Sequence, residues 1–180
     1  MNNLKRVTMK ILKNGVSAVV ILTLTFSYAQ EKIKLNHDHS KMEMKQTPVE
    51  FGNENVAYAY EHYEHVKNDL VGSNPGDAQK GAEMLNEALG KVEGADAALS
   101  ASQKIAATDI LKVQRKAFSE LSTEMEALLR GKITSGKLYK DFCPMALNGG
   151  AYWLSSVEDI RNPYYGAQML SCGKVAEVIE

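Results

Sequence analysis

The chain has 180 residues, with 21 Lys and Arg against 22 Asp and Glu and a formal net charge of −1. If residues 1–29 are removed, Lys5, Arg6, Lys10 and Lys13 go with them, leaving 17 basic against 22 acidic residues and a net charge near −5. A mildly acidic chain lacks the basic footprint that nucleic acid demands, and about 150 residues are enough for one domain with a real core.

The N-terminus carries the pattern of a secretory signal peptide. The four cations precede an uncharged apolar run from Val16 to Phe26, and Ser27-Tyr28-Ala29 offers small residues at the cleavage positions. The run is short of the roughly 20 apolar residues that a membrane span needs, so no span is expected after cleavage. Export implies a periplasmic or otherwise extracytoplasmic location, an oxidising compartment in which paired cysteines tend to be disulfides.

Residues 30–52 are polar and aperiodic, and read as a mobile segment. Within it His37, His39, Met42 and Met44 are two imidazoles and two thioethers, each pair at i, i+2. Imidazole suits Cu(II) and thioether suits Cu(I), so this tail is a candidate metal-capturing tract, on composition alone.

Residues 53–180 are expected to form an all-α domain, mainly an up-down bundle of three or four helices with a short irregular or hairpin C-terminal segment packed on it. Val56, Tyr60, Tyr63, Val66 and Leu70 recur at three and four, a helix that ends near Gly72. Asn74-Pro75 reads as an N-cap and first-turn proline. Ala78, Ala82, Leu85, Leu89 and Val92 make the next seam, closed by Gly94. Ser100 and Gln103 resemble a capping box opening a helical pattern that runs to Arg130, with Ile105, Ile110, Val113, Ala117, Leu121 and Leu128 as core candidates. Thr108-Asp109 can divide it, and Gly131 is its stop. Beyond Gly136, Leu138–Phe142 and Tyr152–Ser155 flank the turn residues Leu147-Asn148-Gly149-Gly150, which suggests a hairpin. Asn162–Gly166 is a further turn, and Trp153 must be buried for this segment to hold its shape.

Two groups in the folded part carry chemistry. Cys143 and Cys172 are the only cysteines, with Met145 and Met169 just inside them. Two thiols and two thioethers form a soft ligand set suited to Cu(I). The same cysteines can instead close a disulfide loop of about 30 residues, worth roughly 3–4 kcal/mol on the chain-entropy model. Both readings stand. His62 and His65, at i, i+3, share a helix face beside Glu61 and Glu64, and two imidazoles alone read as a polar face more readily than as a site. No Ser-centred nucleophile elbow, phosphate loop, HExxH or CxxC is present, so a non-enzymatic role is expected.

The C-terminal residues resemble a family. Leu138–Ala146 (Leu-Tyr-Lys-Asp-Phe-Cys-Pro-Met-Ala), Gly150–Ser155 (Gly-Ala-Tyr-Trp-Leu-Ser), Ile160–Gly166 (Ile-Arg-Asn-Pro-Tyr-Tyr-Gly) and Met169–Val175 (Met-Leu-Ser-Cys-Gly-Lys-Val) are similar to an uncharacterised exported bacterial domain family. Its members occur alone or fused to the periplasmic adaptor subunit of copper and silver efflux pumps. Gln114–Ser122 matches it too, and the resemblance covers roughly residues 55–176. It implies metal handling outside the cytoplasm, with Cys143, Met145, Met169 and Cys172 as ligands, copper or silver as cargo and an efflux adaptor as partner.

Overall fold

The computed structural model describes residues 49–180. The signal pattern at 1–29 and the tail residues His37, His39, Met42 and Met44 lie outside the described residues. Helix α1 runs Glu54–Val71. The Asn53 side chain accepts hydrogen bonds from the backbone N–H groups of Asn55 (2.9 Å) and Val56 (3.2 Å), satisfying two donors that the first turn leaves open. Its buried stripe holds Val56, Tyr60, Tyr63, Val66 and Leu70, as the spacing predicts. The chain reverses through Ser73 at φ 57°, and Gly72 keeps a helical φ of −69°.

Helix α2 is Pro75–Leu89. Proline sits in its first turn, but the Asn74 side chain makes no capping hydrogen bond. The helix stops at Gly90, ahead of the predicted Gly94, and Gly94 (φ +77°) instead turns the chain toward α3, Asp96–Ala106. That helix begins four residues before Ser100, so the expected capping box lies within it and caps nothing. The break at Thr108-Asp109 is real: the Thr108 hydroxyl accepts the N–H of Ile110 (3.1 Å), and α4 restarts at Leu111 and runs to Leu129. The restart sets a new phase. Ile110 (59 % exposed) and Val113 (47 %) therefore point outward, contrary to expectation, and the buried face is Gln114, Ala117, Phe118, Leu121, Ser122, Met125, Leu128 and Leu129.

The fold is mainly helical, but a bundle alone does not describe it. Strand β1 (Glu50–Phe51) pairs antiparallel with β2 (Ile133–Ser135), so the end of the segment expected to be mobile is part of the fold. Strands β3 (Leu138–Cys143), β4 (Ala151–Ser155) and β5 (Lys174–Ile179) form an antiparallel sheet in the order β4-β3-β5. The β3–β4 hairpin is the expected one, with Asp141 opposite Trp153 and Cys143 opposite Ala151. Strand β5 has no counterpart in the sequence pattern; it pairs Leu138 with Ile179 and passes a bulge at Lys140/Asp141. Trp153, Leu154 and Tyr164 join the helical residues in one buried core. No helix among the described residues is long and apolar enough to cross a membrane.

Candidate functional site

Strand alternation places Tyr139, Asp141 and Cys143 on one buried face of β3. Cys143 ends that strand, and Cys172 lies in the loop before β5. Two devices bring the loop to the strand. Gly173 (φ +149°) carries the chain so close to Trp153 that a Cβ there would stand 2.9 Å from Cη2 of the indole and 3.1 Å from the Phe142 carbonyl oxygen, so only glycine fits. The second device is Asn162, which is fully buried. Its amide donates to the Cys172 carbonyl (2.7 Å), and its Oδ1 accepts the N–H groups of Tyr164 (2.8 Å) and Tyr165 (3.2 Å). Its backbone N–H donates to the Leu170 carbonyl (2.8 Å).

The outcome is a pair of free thiols with Sγ atoms 3.1 Å apart, longer than the roughly 2.05 Å of a disulfide bond and close enough to share a hydrogen bond. That shared hydrogen bond, with lesser contributions from partial burial and from Cys143's own charge, pushes the Cys172 thiol above its ordinary range. Loss of one proton therefore opposes loss of the second, and a metal binding here must displace both.

Met145 and Met169 lie in the two loops beside the pair. Met145 is 58 % exposed and its carbonyl accepts the Tyr165 hydroxyl proton (2.7 Å). Met169 is half-buried, and its carbonyl accepts the Cys172 N–H (3.0 Å). Neither belongs to the buried core, so filling core gaps is not their role. Among the described residues no group of three or more His, Cys, Asp and Glu is placed to hold a metal ion. A metal at the pair would have two thiolates and would draw any further ligand from thioether or solvent.

Two further buried groups stand out, and the first differs from sequence expectation. His62 is not on a solvated face: it is 6 % exposed, and neither ring nitrogen has a hydrogen-bond partner. Asp141 is fully buried with both carboxylate oxygens unpartnered, and burial pushes its carboxyl up to about 7. The nearby Lys67 ammonium relieves only part of that, because it is engaged by Glu64 (2.7 Å) and Ser155 (3.3 Å). Glu64 also accepts the Tyr60 hydroxyl proton (2.7 Å). The sequence of α1 marks Glu64 and Lys67 only as an i, i+3 ion pair; it takes the sheet packed over them to bury it.

Residues 59–136 match the model of a family described as protein of unknown function (DUF3347). This part of the chain is similar to that domain of unknown function. The match runs from α1 through β2 and ends before β3, so Cys143, Met145, Met169 and Cys172 fall beyond it. No curated protein and no solved structure matches the chain.

Proposed function

We propose that the chain is an exported, non-catalytic binding protein for a soft monovalent metal, Cu(I) or its heavier analogue Ag(I), held by the thiolates of Cys143 and Cys172 with Met145 and Met169 as the adjacent thioethers. The observation that carries this reading is the contact at 3.1 Å of two free thiols, one at the end of β3 and one in the loop before β5, with two methionines outside the core in the adjoining loops. An all-sulfur donor set selects soft ions, while among the described residues imidazole and carboxylate, which suit borderline and hard ions, form no group of three or more placed to hold a metal ion. The signal pattern at 1–29 and the resemblance of residues 138–175 to domains fused to efflux adaptors support a role as a periplasmic metallochaperone or accessory to copper and silver efflux. The tail at His37, His39, Met42 and Met44 would then capture metal first.

A second reading, a disulfide-stabilised structural or protein-interaction module without metal, is favoured by the same contact: two thiols this close need only lose two protons and two electrons to an oxidant of the exporting compartment. Titration of the reduced chain with Cu(I) against a chromogenic chelator separates the two. The soft-metal reading expects one equivalent that disappears in Cys143→Ser/Cys172→Ser while any tail-bound equivalents remain. An unchanged titration in that variant, together with a pair isolated fully oxidised and resistant to mild reductant, leaves the disulfide module.

A further inference from the structure

The chain enters the described fold at the wall of a cavity. Val49, the first described residue, lines a volume of about 530 Å³ together with Phe51 of β1 and Tyr58, Tyr60, Glu61 and Glu64 of α1. Strand β1 sets Phe51 against the Tyr60 ring, 5.4 Å between centroids, and Tyr58 is exposed. The lining thus combines three aromatic rings with two carboxylates, and no Lys or Arg belongs to it. Glu64 is already matched: it accepts the Tyr60 hydroxyl proton and a hydrogen bond from the Lys67 ammonium, both at 2.7 Å. Glu61 is not. It is exposed and takes part in no ion pair among the described residues. Rings beside one unmatched negative charge suit an occupant with an apolar, polarisable body and one positive charge.

The residues that lead into Val49 have that chemistry. They read Lys41-Met42-Glu43-Met44-Lys45-Gln46-Thr47-Pro48. A thioether packs favourably on aromatic rings, and an ammonium pairs with a carboxylate. Met44 stands five residues before Val49, at most about 18 Å of extended chain, and a cavity of this volume is about 10 Å across, so Met44 and Lys45 both reach its far side. The tether raises the effective concentration of the segment to the millimolar range, so even a weak contact is populated without a second molecule.

We propose that residues 41–45 dock into this cavity, with the Met44 thioether on the rings of Phe51, Tyr58 and Tyr60 and the Lys45 ammonium on Glu61. Docking has a consequence that rests on reading the tail as a metal-capturing tract. One thioether cannot serve the rings and an ion at once, so docking and capture compete: metal draws the segment out and uncovers the cavity, and the metal-free segment covers it.

Docking is read by NMR in the metal-free, reduced, full-length protein with isotope-labelled methionine methyl groups. The Met44 methyl is expected to show a ring-current displacement and through-space contacts to the Tyr58 and Tyr60 rings, both independent of protein concentration. Glu61→Lys changes an exposed side chain; it should lower the ratio of docked to free segment by about fivefold, because it replaces an exposed ion pair by a repulsion. A Met44 methyl at its free-chain position, without ring contacts, overturns the docking and leaves the cavity to a ligand from outside the chain. Contacts that fade on dilution overturn it as well, since they place the segment in the cavity of a second copy, and a ratio unchanged in Glu61→Lys overturns the charge contact. Ag(I) is then added to Cys143→Ser/Cys172→Ser, where the ring contacts of Met44 should disappear in step with metal binding to the tail. Contacts that persist in a tail saturated with Ag(I) overturn the competition. A tail that binds no Ag(I) and keeps its ring contacts removes the metal reading and supports the docking alone.

Discussion

Asp141 sets a pH dependence that can be read from one side chain. Its carboxyl titrates near 7 in the fold, mainly through burial, against 3.8 for the ordinary group. Between these values the native state holds a proton that the unfolded chain has lost. Stability from this group is therefore greatest below about pH 4, falls as the pH rises through 7, and is level above that. A rise of the carboxyl from 3.8 to about 7 corresponds to roughly 4 kcal/mol. Asp69, pushed up to about 6 by partial burial and by Asp77, slopes the same way and remains after Asp141 is changed. Asp141→Asn is expected to match the wild type near pH 4 and to exceed it by about 2–4 kcal/mol at pH 8. Urea denaturation at the two pH values checks this, and a variant whose stability falls as steeply as the wild type's would show that Asp141 is ionised in the native state. His62 makes a parallel case for a buried group without a partner. In metal-free protein, orphaned ring nitrogens cost about 1–3 kcal/mol each, so His62→Leu should unfold at higher urea concentration than the wild type. A lower midpoint would mean that the ring has a partner after all.

Among the elements, Tyr63 is the bolt that joins helix to sheet. Its side chain crosses from α1 to share a hydrogen bond with the Ser122 hydroxyl on α4 (2.8 Å), and its oxygen accepts the Leu154 N–H of β4 (2.9 Å). Its ring stacks on Phe118 at 5.3 Å. Tyr63→Phe keeps the stacking and orphans a buried backbone donor, so a loss of about 1–3 kcal/mol is expected by urea denaturation; a change below about 0.5 kcal/mol would mean that water replaces the hydroxyl. The helices are legible in the sequence because burial on one side imposes three–four spacing, and α1 and α2 show it over their whole length. Ile110 and Val113 of the α4 region mislead because a Thr-Asp break resets helical phase, and hydrophobicity alone does not reveal the new zero. Gln114 hides the true start of the buried face: it is a polar residue whose amide donates to the carbonyls of Pro75 and Thr108, both at 2.8 Å. β1 is too short to show periodicity, and β5 is mostly exposed, so its alternation carries little apolar signal. At the candidate site the residue types are legible and their meeting is not. The approach of Cys172 to Cys143 depends on Gly173 passing close to the Trp153 ring and on the buried Asn162 clasp, and neither can be inferred from spacing along the chain. The burial of His62 likewise depends on how α1 packs against its neighbours.

For the whole molecule, the thiol pair couples folding to redox state, and the coupling works in both directions. Joining Cys143 to Cys172 closes a loop 29 residues long in sequence separation, which the chain-entropy model values at about 3–4 kcal/mol, a rise in melting temperature of roughly 10 °C for a domain of this size. Linkage then requires that folding favour the disulfide by the same free energy. At 1.4 kcal/mol per tenfold, the equilibrium constant for closing the pair with oxidised glutathione should be about two to three orders of magnitude larger in the native chain than in the chain unfolded in urea. Alkylation and mass spectrometry after equilibration in glutathione buffers, with and without urea, measure both constants. A native constant within about tenfold of the unfolded one would show that Gly173 and Asn162 hold the sulfurs in contact but in an orientation that resists bonding, and that the fold favours separate thiolates. That result would favour the soft-metal reading, because an ion inserted between the sulfurs tolerates a geometry that a disulfide does not. The full linkage value would mean instead that any Cu(I) bound at the pair must compete with a bond the fold itself promotes, and that metal occupancy rises only as the compartment becomes more reducing.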